Sequence, residues 1–349
     1  MTELTSKEFD LLLAAFHRSP DAIAAFRRWN EEIDWDGVIE PDVVSLLPTV
    51  CNNLRSLGFD HPLFPRFLGV DRKTWVENQR VKGQLMEWIP QKCFADMVVL
   101  PSTSYLFDNS VRIPQYQRLL RFASKPEYAS SIVQSLIKRD WVPEYQTTVP
   151  TRWIDGYVWG ADHLSLRRAT GERLSLTWRL EAWFGARWRD VWERSELGSF
   201  GNCSVRWLEK TDAMEFTLRQ LPTKHPFRWL IQSLWMAKDE VHWIDLRSRF
   251  LEYPLSLDAL GLLPVFEEIA QIDVLSESDL LTLRSSIQDR KSDPVHPLHW
   301  FRGAWARYRS SWPSGSSWLE VAKQTPGYVL GRWSRWKQSR RRLSSDQRS

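Results

Sequence analysis

The sequence predicts an α+β protein, predominantly helical overall, in which a small central mixed sheet is enclosed by N-terminal and C-terminal helices. Three observations carry this. Apolar residues recur at helical spacing up to about residue 89, and again from about residue 182 onward. Between these stretches lie short apolar runs, Met97-Val98-Val99-Leu100 first among them, bounded by Pro101 and hydroxyl residues as buried strands are. A hydrophobic content of 43% over 349 residues is enough to bury a core beneath both.

The elements follow in order. Thr5 or Ser6 suits an N-cap, and Phe9, Leu12, Leu13, Phe16, Ile23, Phe26 and Trp29 mark two helices at 6–18 and 20–32, divided at Ser19-Pro20-Asp21 because proline belongs in a first turn. Pro41 opens a helix over 41–57, and Gly58 supplies the left-handed residue that ends it. A fourth helix runs over 65–89 and stops at Pro90. After the strand at 97–100 and a turn at Ser102-Thr103-Ser104, residues 117–123 supply a second strand and 125–139 a helix with Pro126 in its first turn. Residues 152–160 and 172–180 read as paired strands flanking the turn Ala169-Thr170-Gly171-Glu172. Helices are then expected at 185–196, 211–221, 225–240, 242–252, 256–271, 277–289, 299–311 and 316–323. The organisation is an N-terminal helical region 1–90, an α/β core 91–182, a C-terminal helical region 183–290 and a Trp/Arg-rich extension 291–349 with a basic tail.

Composition narrows the function classes. Three isolated cysteines, Cys51, Cys93 and Cys203, support neither a disulfide framework nor a thiolate zinc site. The opening residues lack the basic and apolar regions of a secretory leader, and no apolar run reaches the roughly 20 residues that span a bilayer, so a cytoplasmic protein is expected. Tryptophans number 21 against 8 tyrosines, which singles out the indole: a large apolar area with one N–H that needs an acceptor, suited to packed seams and partner surfaces.

Charge is concentrated at the end of the chain. Residues 332–349 hold seven basic groups against Asp346, a local +6 that leaves the remaining body at −2 of the net +4. Val329, Leu330, Trp333 and Trp336 recur at helical spacing among Arg332, Arg335, Lys337, Arg340, Arg341 and Arg342. Three readings stay open for this tail: a docked helix with a solvated end, an amphipathic helix on an anionic membrane surface, and a phosphate-contacting nucleic-acid segment. No motif for sequence-specific nucleic acid accompanies it.

Ordered landmarks then carry a resemblance. They are Phe26-Arg27-Arg28-Trp29, Ile33-Asp34-Trp35-Asp36, Leu46-Leu47-Pro48, Asn53-Leu54 and Arg72-Lys73-Thr74-Trp75-Val76-Glu77-Asn78, followed by Leu174-Ser175-Leu176-Thr177-Trp178-Arg179-Leu180, Trp192-Glu193-Arg194 and Phe227-Arg228-Trp229-Leu230. Over roughly residues 10–270 the chain resembles a family of uncharacterised bacterial nucleotidyltransferases related to the minimal nucleotidyltransferase fold. That resemblance implies a sheet of the nucleotidyltransferase type, and a reaction joining an NTP to an acceptor through magnesium held by an Asp-x-Asp pair and a third acid on a neighbouring strand. Hard cations need such oxygen ligands.

Placed on this chain, the family's Leu-Lys-Gly falls on Leu100-Pro101-Ser102, its Arg-x-x-x-Asp-x-Asp on Arg112-Ile113-Pro114-Gln115-Tyr116-Gln117-Arg118, and its third acid on Ser175. Pro101 has no backbone N–H for a phosphate, Ser102 lacks glycine's freedom, and Tyr116, Arg118 and Ser175 replace the metal ligands. The expectation is a pseudoenzyme that has lost metal-dependent catalysis and acts as a binding or scaffold protein with a protein partner, no resident metal or cofactor, and Arg112, Arg118 and Arg121 available to a nucleotide or other anion.

Two alternatives stay open. One is an active transferase using Mg and NTP on a small molecule, a glycan or a peptide, with acids drawn from Asp96, Asp108, Asp155 and Glu172. The other is peripheral membrane association through Trp333, Arg335, Trp336, Lys337, Arg340, Arg341 and Arg342. His296-Pro297-Leu298-His299 reads as a surface turn, because the proline spoils helical ligand spacing. Cys203, His225, His242 and the pair Asp162-His163 read as structural, since no partner group accompanies them to make a nucleophile or a triad.

Overall fold

The computed structural model describes residues 4–104, 119–144, 151–180, 184, 188–200, 203–220, 226–238, 240–291 and 323–330. It is α+β, mostly helical, with one mixed sheet. The chain divides into two compact units. The described residues of Met1–Gln84, Ser104–Tyr116 and Lys210–Leu283 form the first, and those of Leu85–Thr103, Gln117–Glu209 and Arg284–Ser349 the second. The N-terminal helices thus share a unit with helices from beyond residue 210.

The first unit contains α1 (Ser6–Phe16), α2 (Asp21–Glu32), α3 (Pro41–Ser56) and the body of α4 (Phe64–Trp88). It also contains α10 (Lys210–Arg219), α11 (Pro226–Met236), α12 (Trp243–Glu252), α13 (Leu257–Ala270) and the start of α14 (Glu277–Lys291). The helix ends follow local chemistry. Thr5 and Glu8 close a capping box on α1, satisfying two of the first-turn N–H groups. Gly58, at φ +79°, ends α3 in the left-handed conformation, with its N–H on the Arg55 carbonyl and that of Phe59 on the Leu54 carbonyl. Asn53 reaches from α3 to the end of α1, its amide nitrogen donating to the Ala14 and His17 carbonyls at 3.0 and 2.9 Å.

The core of this unit is aromatic. Phe26 lies among Trp29, Phe59, His61, Phe64 and Phe67, with ring centroids 5.2–6.5 Å away. Residues 211–219 of α10 are all buried, and they include charged groups. Asp212 and Glu215, both fully buried, accept hydrogen bonds from Arg249 of α12 at 2.7 and 3.1 Å. Arg219 binds Glu215 at 2.9 Å, and Asp245 completes the cluster against Arg249. Burial pulls the Arg249 pKa down, but its bonds to Asp245, Asp212 and Glu215 outweigh that and hold it above the ordinary value.

The second unit is built on a seven-stranded mixed sheet. Its strands are β1 (Met97–Val99), β2 (Leu119–Ser124), β3 (Val142–Pro143), β4 (His163–Arg167), β5 (Arg173–Thr177), β6 (Glu196–Phe200) and β7 (Cys203–Trp207), in the order β3-β4-β5-β2-β1-β7-β6. The pairs β2/β5 and β1/β7 are parallel and the others antiparallel. Short helices α5 (Gln91–Phe94) and α6 (Pro101–Ser104) flank β1. Helices α7 (Pro126–Ile137), α8 (Ile154–Gly160) and α9 (Trp188–Arg194) connect the strands, and residues 323–330 form α15.

Several sequence expectations change here. Residues 151–160 form a 3₁₀ turn and α8 instead of a strand, and the hairpin partner of β5 is His163–Arg167. Ser102-Thr103-Ser104 is a helical turn, and Glu196 opens a strand where a helix to 196 was expected. Helix α8 ends on side chains. The Trp178 indole N–H donates to the Val158 and Ala161 carbonyls at 3.0 and 2.8 Å, and Arg179 to that of Trp159 at 2.7 Å. These three carbonyls have no partner of their own at a helix C-terminus. On its other side α8 meets α15 so closely that a Cβ on Gly156 would collide with the Gln324 carbonyl, and one on Gly327 with that of Trp153. Among the described residues no helix is long and apolar enough to cross a membrane.

Candidate functional site

Strand alternation separates the two faces of the sheet. Leu120 and Phe122 of β2, Leu174 and Leu176 of β5, Leu164 and Leu166 of β4, and Met97 and Val99 of β1 point into the apolar core and are buried. The positions between them form a different surface. Arg121 lies opposite Ser175, and Ser175 opposite Ser165, so one row across three strands reads Arg-Ser-Ser, half-buried throughout. The next row is Ala123, Thr177 and His163; the row on the other side carries exposed Arg173 and Arg167.

No carboxylate occupies a strand position on this face of β2, β4 or β5. One acid flanks it. Glu144 donates its backbone N–H to the Ser165 carbonyl at 2.9 Å and pairs with Arg173 Nε at 2.6 Å. Burial pushes the Arg121 guanidinium below its ordinary pKa, although the residue as a whole is half-buried. The backbone of Arg121 is fixed on the same strand pair, its N–H donating to Thr103 Oγ1 at 2.6 Å and its carbonyl accepting from Leu100 at 3.1 Å.

The residues expected from sequence are distributed as follows. Pro101 and Ser102 open α6 directly after the β1 segment that pairs with Arg121. Ser175 is the register neighbour of Arg121 itself. Arg112, Tyr116 and Arg118, and the tail positions Trp333, Arg335, Trp336, Lys337, Arg340, Arg341 and Arg342, lie outside the described residues, as do Asp108, His225 and His296-Pro297-Leu298-His299.

Of the acids of the catalytic alternative, the three described ones, Asp96, Asp155 and Glu172, do not meet across the sheet. Asp96 precedes Met97, whose partner is Ser124 at one end of β2, and Glu172 precedes Arg173, whose partner is Leu119 at the other. Seven residues of strand separate their levels, on the order of 20 Å. Asp155 lies on α8 and accepts from Ser130 and, at 3.4 Å, from Gln134 of α7. Among the described residues no three His, Cys, Asp or Glu side chains are grouped to hold a metal ion.

The other candidates have structural surroundings. Cys51, Cys93 and Cys203 are buried, and burial raises the thiol pKa of the first two, away from thiolate reactivity. The Asp162 carbonyl accepts from the Trp178 N–H at 2.9 Å at the end of the hairpin, where His163 opens β4.

Sequence reasoning missed Ser165, Arg167 and Arg173. The signal is the matched alternation His163-Leu164-Ser165-Leu166-Arg167 and Arg173-Leu174-Ser175-Leu176-Thr177 on either side of Gly171, which carries φ +96°. Placing the first strand at 152–160 hid that alternation.

Comparisons with known proteins add nothing to these observations: no family model, curated protein or solved structure matches the chain.

Proposed function

We propose that the chain is a binding protein built on a nucleotidyltransferase-like sheet, holding a phosphate-bearing ligand on the polar face without a metal ion. The observation that supports this most is the row Arg121–Ser175–Ser165 flanked by Arg167 and Arg173. A guanidinium neutralises phosphate directly and offers a planar fork of donors, while serine hydroxyls supply further donors at the same level. The resemblance puts its third acid on Ser175, and the register neighbour of Ser175 is a cation, Arg121, where a metal site would need carboxylates. Nucleotides, pyrophosphate and other anions share the required chemistry. A scaffold role toward a protein partner is compatible with the same loss of the metal-dependent step.

The test is a charge swap at one position. Ser175→Asp sets a carboxylate in register with Arg121, where it pairs with the guanidinium and repels phosphate. Affinity for ATP and for pyrophosphate, measured by isothermal titration, is expected to fall at least about tenfold, roughly 1.4 kcal/mol. Ser175→Asn, with matched size and no charge, is expected to retain most of the binding. Equal affinities in the Asp and Asn variants contradict the proposal; melting curves of both confirm that the fold is intact.

A further inference from the structure

We infer that a second site, at the end of the sheet where β2 gives way to α7, takes a small zwitterion of the amino-acid class. A cavity of about 360 Å³ lies here, walled by Asp96, Lys125, Tyr128, Trp192, Glu193 and Arg206. Its size falls at the lower end of small-molecule sites, roughly 300–1,000 Å³, which suits one small metabolite.

The fold brings these residues together from four elements. Asp96 immediately precedes β1, and Lys125 is the N-cap of α7, with Pro126 at its first position. Arg206 lies in β7 opposite Val98, and Trp192 and Glu193 come from α9. By strand alternation Asp96, Lys125 and Arg206 all belong to the polar side of the sheet.

The charge pattern identifies the ligand class. Two carboxylates and two cations border one void, yet Asp96, Lys125 and Glu193 make no side-chain hydrogen bond or ion pair among the described residues. Among the described residues Arg206 bonds through Nη1, to the carbonyl and hydroxyl of Ser195 at 3.3 and 3.2 Å, and makes no bond through the rest of its fork. A purely anionic ligand would meet the two carboxylates, and a purely cationic one the two guanidinium and ammonium groups. A molecule carrying both an ammonium and a carboxylate completes charge-assisted bonds with both signs. Trp192, buried, and Tyr128 add aromatic walls for an apolar side group, and the Trp192 indole nitrogen has no acceptor among the described residues.

The test uses the full chain and the standard free amino acids at millimolar concentration, screened by thermal shift and followed by isothermal titration of those that stabilise. At least one is expected to bind saturably, with its N-acetyl and C-amide derivatives at least about tenfold weaker, because each loses one charge. Lys125→Gln and Glu193→Gln alter exposed residues, so the fold should persist; each is expected to weaken the parent ligand at least about fivefold while leaving the ATP titration unchanged. Absence of saturable binding by any free amino acid overturns the inference. So does equal binding of the blocked derivatives, or unchanged affinity in both charge variants. Arg121 and Ser175 are not among the cavity walls, so failure here leaves the phosphate reading standing, and failure of that reading leaves this one.

Discussion

Replacing Arg249 with methionine is expected to lower the unfolding free energy by about 3–5 kcal/mol, because it strips a buried cation from two fully buried carboxylates. Asp212 and Glu215 are fully buried and cannot turn to water, and Arg249 bonds to both, whereas Arg219 bonds to Glu215 at 2.9 Å. Urea unfolding of the variant should show a lower midpoint with an unchanged slope. The combination Asp212→Asn, Arg249→Met removes one buried charge of each sign and leaves Glu215 paired with Arg219, so it is expected to recover a substantial part of the loss, since removing both partners of a buried pair is far cheaper than orphaning one. A midpoint for Arg249→Met equal to that of the wild-type chain contradicts the description of this cluster as a buried ionic group held together by Arg249.

The second large effect is expected at Trp178. Its side chain is fully buried, and its indole N–H satisfies two carbonyls at the end of α8. Trp178→Ala should cost about 3–5 kcal/mol through the space it leaves. Trp178→Phe retains much of the apolar area and loses the donor, so a smaller cost of about 1–2 kcal/mol is expected. Hydrogen exchange gives the local readout: amides of α8 should lose protection in both variants. Protection in α8 unchanged by Trp178→Phe contradicts the capping role.

These two sites show how far the sequence could be read. Helix boundaries set by one residue's chemistry were legible: Pro41 and Pro126 in first turns, Gly58 at positive φ, and an N-cap at Thr5 or Ser6, which the structure places at Thr5. The strands at Met97 and Leu119 were legible from short apolar runs. The hairpin partner of β5 was not, because Trp153, Tyr157, Val158 and Trp159 have the aromatic and branched look of a strand yet belong to a helical segment. Their place is decided by close packing on α15 through Gly156, which no local pattern announces. The β6/β7 hairpin was likewise hidden, although Gly201-Asn202 stands between two alternating runs.

The polar cluster around Arg249 was invisible for another reason. Asp212, Glu215 and Arg219 look like the wet side of an amphipathic helix, and the guanidinium that meets the two buried carboxylates, that of Arg249, lies 37 and 34 residues downstream of them. Landmarks that carried the resemblance also have local work. Asn53 closes the end of α1, Trp178 the end of α8, and Arg228 binds Asp42 through Nε and Nη2 at 3.0 and 2.8 Å. Such residues are dictated by the packing of this chain whatever its ancestry. For the candidate site, Ser175 and Arg121 were named from sequence, whereas their neighbours Ser165, Arg167 and Arg173 needed the strand register.

The central claim is that the polar face of the sheet receives phosphate through arginine and hydroxyl groups with no divalent ion between them. Isothermal titration of the full chain with ATP, once in EDTA and once in excess magnesium, tests it most directly. Saturable binding of similar affinity in both buffers, with the nucleotide recovered unchanged, is the predicted result. Binding that appears only with magnesium, or consumption of the nucleotide, would contradict the account.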